Sequence, residues 1–173
     1  MKNKFTQTVG GTILALLMLF GASLIVVSGQ ERDGVGSLAL PDRVQNKLEG
    51  VWQTTVTQRN CETGQPLGTS LGLTAYHKGG TMSETSTARG PALRGPGFGV
   101  WEREGPSTYN ASFMFQRFTP DGTFIGTTKI ISGIVVSARD GGIYNTNTTV
   151  QIFDANNNLL GTGCATATAM RYQ

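Results

Sequence analysis

Histidine is almost missing from this chain: His77 is the sole copy among 173 residues. A metal centre of three histidines, or of two histidines and a carboxylate, therefore cannot be assembled. A histidine-activated nucleophile has a single place to find its base. Cysteine occurs only at Cys61 and Cys164, and a metal or redox role would need more ligands or a closely spaced pair. Charge is sparse too, at 14% of residues, and no basic run offers a footing for a phosphate backbone. Beyond Gly50 no stretch has helical periodicity. These absences remove the common metal, redox and nucleic-acid classes, so no cofactor is expected.

What is present begins with Lys2 and Lys4, the only charges in the first 29 residues. The apolar run Ile13 to Val27 follows, interrupted by Gly21 and Ser23, and ends at Val27-Ser28-Gly29. A positive start, an apolar middle and a small-residue exit are the pattern of a secretory signal peptide over 1–29. The alternative is an uncleaved anchor, since including Val9 to Thr12 brings the span near the ~18–20 residues a bilayer requires. The expected location is secreted or periplasmic, with no membrane insertion after cleavage. The formal charge of +3 includes Lys2 and Lys4, so the remainder carries +1 and has little pull toward nucleic acid or anionic lipid. Residues 30–40 read as a flexible spacer, and 41–173 as one domain.

Within that domain Pro41 to Glu49 suits one short helix. Proline fits its start, Val44 and Leu48 share a face, and Gly50 can end it. The rest is rich in threonine, β-branched and aromatic residues, with turn signals at strand-length intervals. Eight strands are predicted, at 51–60, 70–78, 81–88, 98–104, 107–118, 124–137, 143–153 and 159–172. Glu-Thr-Gly at 62–64, Lys-Gly-Gly at 78–80, Pro-Asp-Gly at 120–122 and Asn156 to Asn158 supply turn chemistry. Short links between successive strands favour an all-β, eight-stranded, antiparallel up-and-down barrel, with a β-sandwich as the alternative.

Two markers test whether the first strand closes on the last. In an oxidising compartment Cys61 and Cys164 are expected to form a disulfide. Antiparallel partners share a nearly constant sum of residue numbers. The cysteines sum to about the same value as Trp52 and Arg171, and parity puts the two pairs on opposite faces. Trp52 and Arg171 then stack inside one end, and the disulfide lies outside at the other. Gly50-x-Trp52 at the first strand, a short helix before it, and Arg171 near the end of the last strand resemble the lipocalin and calycin barrels. That resemblance implies a closed barrel, a structural role for Gly50, Trp52 and Arg171, and a small-molecule ligand in the lumen.

Carrying parity along the chain turns Thr54, Val56, Leu71, Leu73, Ala75 and His77 inward. Tyr109, Ala111, Phe113, Phe115, Ile130, Ile134, Tyr144, Val150 and Ile152 join them, with Gly163, Ala165, Ala167 and Ala169 on the last strand. The fourth strand has no assignable phase. An eight-stranded barrel is either filled by side chains or just holds one small ligand. The abundance of glycine, 24 residues, favours close approach and filling. Glu84 falls on the interior parity of the third strand, where burial would raise its pKa; the simpler reading phases the strand the other way and leaves it in water. His77 reads as structural, beside a tight turn. Strand direction puts the loops 62–69, 89–97, 119–123 and 155–158 at one end. There the long Gly/Pro segment with Arg89, Leu93 and Arg94 could act as a lid, and its arginines could hold a carboxylate or phosphate.

The function expected is non-enzymatic binding of a small apolar molecule, with candidate pocket residues Leu73, Glu84, Phe113 and Phe115 and with Arg94 at the rim. Two alternatives stand beside it. One is an isomerase or cyclase using Glu84 or Tyr109 to handle a proton. The other is an envelope or interaction protein with a filled core.

Overall fold

The computed structural model describes residues 47–137 and 141–172. The signal peptide expected at 1–29, the spacer expected at 30–40 and most of the helix expected at 41–49 lie outside the described residues. Eight strands follow one another: β1 (Gly50–Arg59), β2 (Pro66–Tyr76), β3 (Thr81–Ser86), β4 (Gly97–Arg103), β5 (Thr108–Phe118), β6 (Phe124–Val136), β7 (Ile143–Phe153) and β8 (Leu159–Arg171). Each pairs antiparallel with its neighbours in chain order, and β8 returns to β1, closing an up-and-down barrel. The sandwich alternative is excluded. Closure leaves no free sheet edge, which suits strands so rich in β-branched residues. Among the described residues the one helical element is a 3-10 turn at Pro91–Leu93.

The closing ladder runs without a shift from Trp52 opposite Arg171 to Arg59 opposite Cys164. Just past β1, Cys61 joins Cys164 in a disulfide with Cα atoms 5.2 Å apart. The bridge encloses a sequence separation of 103 residues, for which restricting the unfolded chain contributes up to about 4–5 kcal/mol. Disulfides of this kind persist in oxidising, extracytoplasmic surroundings.

On β2 the inward face differs from the expectation. Trp52 lies opposite Thr74 and Thr54 opposite Gly72, and direct cross-strand partners share a face. Ser70, Gly72, Thr74 and Tyr76 therefore point in. Leu71 and Leu73 point out, 52% and 48% exposed, and His77 sits beyond the strand. The physical reason is that β2 faces the lumen with small and hydroxyl residues, so apolarity does not mark its inner side. Sliding the phase by one residue reverses every side chain. On β4 the buried residues are Gly97 and Trp101, while Phe98 and Val100 face solvent. Tyr109, Ala111, Ile134, Tyr144 and Ala169 are buried as parity predicts.

Candidate functional site

The closed end of the barrel is the floor of the cavity above it. Trp52 is fully buried and donates its indole N–H to the Leu48 carbonyl at 2.8 Å. Tyr144 packs against it with ring centroids 4.8 Å apart, and Tyr76, Trp101 and Tyr109 continue the cluster at 5.9–6.1 Å. Trp101 donates its N–H to the carbonyls of Thr81 at 3.0 Å and His77 at 3.1 Å. Arg171 lies over the outside of the plug, its guanidinium carbon 4.3 Å from the Trp52 ring centroid. It also donates to the carbonyls of Glu49, at 2.6 Å, and Lys47. Gly50 makes this possible. Its φ is +126°, and a Cβ there would lie 2.6 Å from Arg171 Nη1.

Above the plug the lumen is not filled. A cavity of about 670 Å³ extends toward the loops after β1, β3, β5 and β7. The expectation of a packed interior fails because Gly72, Gly163, Ala165 and Ala167 line this part of the wall and carry too little volume to cross it. The ground for a filled-core protein goes with it.

Two chemistries share the cavity wall. Phe113, Phe115, Ile130, Val150 and Ile152 form an apolar side, with Leu93 from the 3-10 turn. Hydroxyls from β1, β2, β6 and β7 share the wall with them, those of β6 and β7 interleaved with Ile130 and Val150 on one inner face. Thr54 contacts the hydroxyls of Tyr144 at 3.3 Å and Thr74 at 3.5 Å, and Tyr76 donates to Tyr144 at 3.5 Å. Ser132 and Thr146 lie 2.8 and 3.1 Å from Thr148. Burial, and then the neighbouring Tyr144, hold the Tyr76 phenol well above its usual pKa, so it stays neutral.

Glu84 points into this space, correcting the reading that leaves it in water. On β3 it lies opposite Thr74 and Gly97. It accepts a hydrogen bond from Arg94 Nη2 in an ion pair whose side chains are 9% and 5% exposed, respectively. Burial raises the Glu84 pKa, and the bond and charge of Arg94 oppose that rise. Arg94 also stacks on Phe115, with its guanidinium carbon 3.9 Å from the ring centroid. Gly97 gives the pair its room. A Cβ at 97 would come within 2.9 Å of the Glu84 carboxylate and 2.8 Å of the Phe113 ring.

Of the residues expected to form a pocket, the structure brings Glu84, Arg94, Phe113 and Phe115 together on the cavity wall. Leu73 is not among them; it lies on the outer surface. Tyr109 belongs to the plug rather than the cavity wall. His77 contacts Ser83 at 3.2 Å on the exposed side and does not line the cavity. Sequence reasoning missed Tyr76 and Thr74, hidden by the β2 phase. It also missed Arg117, which pairs with Arg94 without lining the cavity and whose position on the inner parity of β5 was the available signal. Among the described residues no group of histidine, cysteine, aspartate and glutamate is placed to hold a metal.

Fold and site together define a closed eight-stranded barrel with an accessible interior cavity. No protein-family model matches the chain, and no curated protein sequence does. Among solved structures it is similar to EF1p2_mFAP2b bound to DFHBI, at 20% identity and a TM-score of 0.49 over 75% of this chain and 98% of that one. It is also similar to Rv2717c from M. tuberculosis, at 12% identity and a TM-score of 0.37, over 74% of this chain and 94% of that one. A third is the S-type phycobiliprotein lyase CPES from Guillardia theta, at 8% identity and a TM-score of 0.35, over 73% of this chain and 89% of that one.

Proposed function

We propose that this chain is an exported, non-enzymatic barrel that binds one small molecule in its lumen. The observation that carries the reading is the cavity of about 670 Å³, within the roughly 300–1,000 Å³ typical of small-ligand pockets. Phe113, Phe115, Ile130 and Val150 would contact an apolar or aromatic body. The Thr54, Thr74 and Tyr144 hydroxyls would contact a polar edge. The pocket residues are then Glu84, Arg94, Phe113 and Phe115, while Leu73 lies on the outer surface.

Export rests on the 1–29 segment and on the disulfide, and the N-terminus of the mature protein is expected at Gln30. Native mass spectrometry of protein recovered from its own host should show a bound mass that leaves on denaturation. Recovery of empty protein that also fails to bind a neutral polarity-sensitive dye, N-phenyl-1-naphthylamine, would sink the reading.

One observation favours a second reading. Glu84 is buried with a raised pKa, which is how an acid or base for an isomerase or cyclase is tuned. On that reading Glu84→Gln abolishes turnover of the molecule that co-purifies. On the first reading no turnover exists to lose.

A further inference from the structure

The mouth of the cavity holds more positive charge than its own carboxylate can serve. Arg94 and Arg117 are bridged across adjacent segments, and both are more than nine-tenths buried, at 9% and 8% exposure. Like charges directly opposite one another repel, and buried charges ordinarily have partners. Among the described residues Glu84 is the only acidic one on the cavity wall, and it pairs with Arg94. Arg117 reaches past Gly126, its partner on β6, to the Phe153 carbonyl at 2.6 Å. The Nε of both arginines is buried without a hydrogen-bond partner. Arg89 joins Arg94 on the cavity wall, and after burial its charge is what lowers the Arg117 pKa.

The geometry points to an anion subsite at the mouth, formed by Arg89 and Arg94 and backed by Arg117, for a ligand with an apolar body and a singly charged oxyanion head of the carboxylate or sulfonate class. This rests on the lumen being a ligand site, as proposed above. The order along the wall gives the orientation. Arg94 is stacked on Phe115, Phe113 follows two residues deeper on β5, and the hydroxyls of Thr54 and Tyr144 lie at the floor. The head would stay among the arginines while the body enters. Glu84 competes with that head for Arg94, so the ion pair serves as the resting partner of a guanidinium that the ligand shares or takes over.

The test uses two dyes with nearly the same aromatic body. They are N-phenyl-1-naphthylamine, which is neutral, and 1-anilinonaphthalene-8-sulfonate, titrated by fluorescence into the disulfide-intact protein. The sulfonate should bind roughly tenfold more tightly at low salt, the ratio one charge-assisted hydrogen bond sustains. Salt should erode the advantage. Arg89→Gln should lower the ratio of anionic to neutral affinity several-fold, and Glu84→Gln should raise it by freeing Arg94. Arg103→Gln removes the same charge at the closed end, where Arg103 donates to the Gly105 and Pro106 carbonyls, and should leave the ratio alone. Acetate at equal concentration should not displace the sulfonate. The proposal is overturned if both dyes saturate with equal affinity, if Arg89→Gln and Glu84→Gln leave the ratio where it was, or if acetate competes as well as the dye. Failure of both dyes to bind overturns the ligand-site reading instead.

Discussion

Arg171 lies opposite Trp52 on the closing ladder, and its guanidinium covers the indole while donating to two carbonyls of the chain that enters β1. One side chain thus ties together the first strand, the last strand and the segment before the barrel. Lysine at 171 would keep the charge but lose the planar fork that stacks and donates at once. Arg171→Lys should destabilise by about 1–3 kcal/mol, combining the cation–π and charged hydrogen-bond losses. Urea denaturation followed by the fluorescence of Trp52 and Trp101 together reads this. An unchanged midpoint would mean that the stack is incidental.

Gly99 has a similarly specific reason to lack a side chain. A Cβ there would lie 2.1 Å from the Ser112 carbonyl oxygen and 2.5 Å from Phe113 Cα, both backbone atoms that cannot turn aside. At Gly97 the nearest obstacles are the ends of the Phe113 and Glu84 side chains, which can. Gly99→Ala should therefore cost about 1–3 kcal/mol as overpacking and strand displacement. Gly97→Ala should cost less stability but crowd the cavity and weaken dye binding. Comparing denaturation midpoints with dye affinities for both variants separates the two effects. Equal losses at the two sites would contradict this geometry.

Leu73 shows where sequence could and could not speak. The pairing of β1 with β8 was legible because two independent pairs, Cys61 with Cys164 and Trp52 with Arg171, constrain one register. The interior of β5 was legible because large aromatics alternate with polar residues. On β2 the alternation of leucine with glycine, serine and threonine has the opposite meaning, because the wall there borders a hydroxyl-lined cavity rather than an apolar core. Glu84 was ambiguous for a related reason: nothing in the spacing from 84 to 94 reveals an ion pair made by a loop folding back. The corrected phase has a consequence. Leu73→Thr on the outer face should change stability by no more than about 0.5 kcal/mol and leave dye binding alone. Thr74→Leu on the inner face should reduce it. Weaker dye binding in Leu73→Thr with none in Thr74→Leu would restore the phase that apolarity suggests.

Glu84 should also leave a signature in how stability depends on pH. Its folded-state pKa is raised above the ordinary carboxylate value, by burial that outweighs the bond and charge of Arg94. A carboxyl that holds its proton more tightly folded than unfolded favours the folded state at low pH. That contribution is fully present below the unfolded pKa and is lost as pH rises through the folded one. Wild-type protein should therefore lose stability relative to Glu84→Gln as pH climbs from the normal carboxylate range upward. At the acid end the two proteins should have similar midpoints, because protonated Glu84 is as neutral as the glutamine and leaves Arg94 equally without an ionised partner. The readout is the difference between the two proteins plotted against pH, in which groups common to both cancel. A variant that gains on the wild type as pH rises bears out the raised pKa. A wild type that gains on the variant as pH rises means that Arg94 wins over burial, and that Glu84 is held ionised as an ordinary salt-bridged carboxylate.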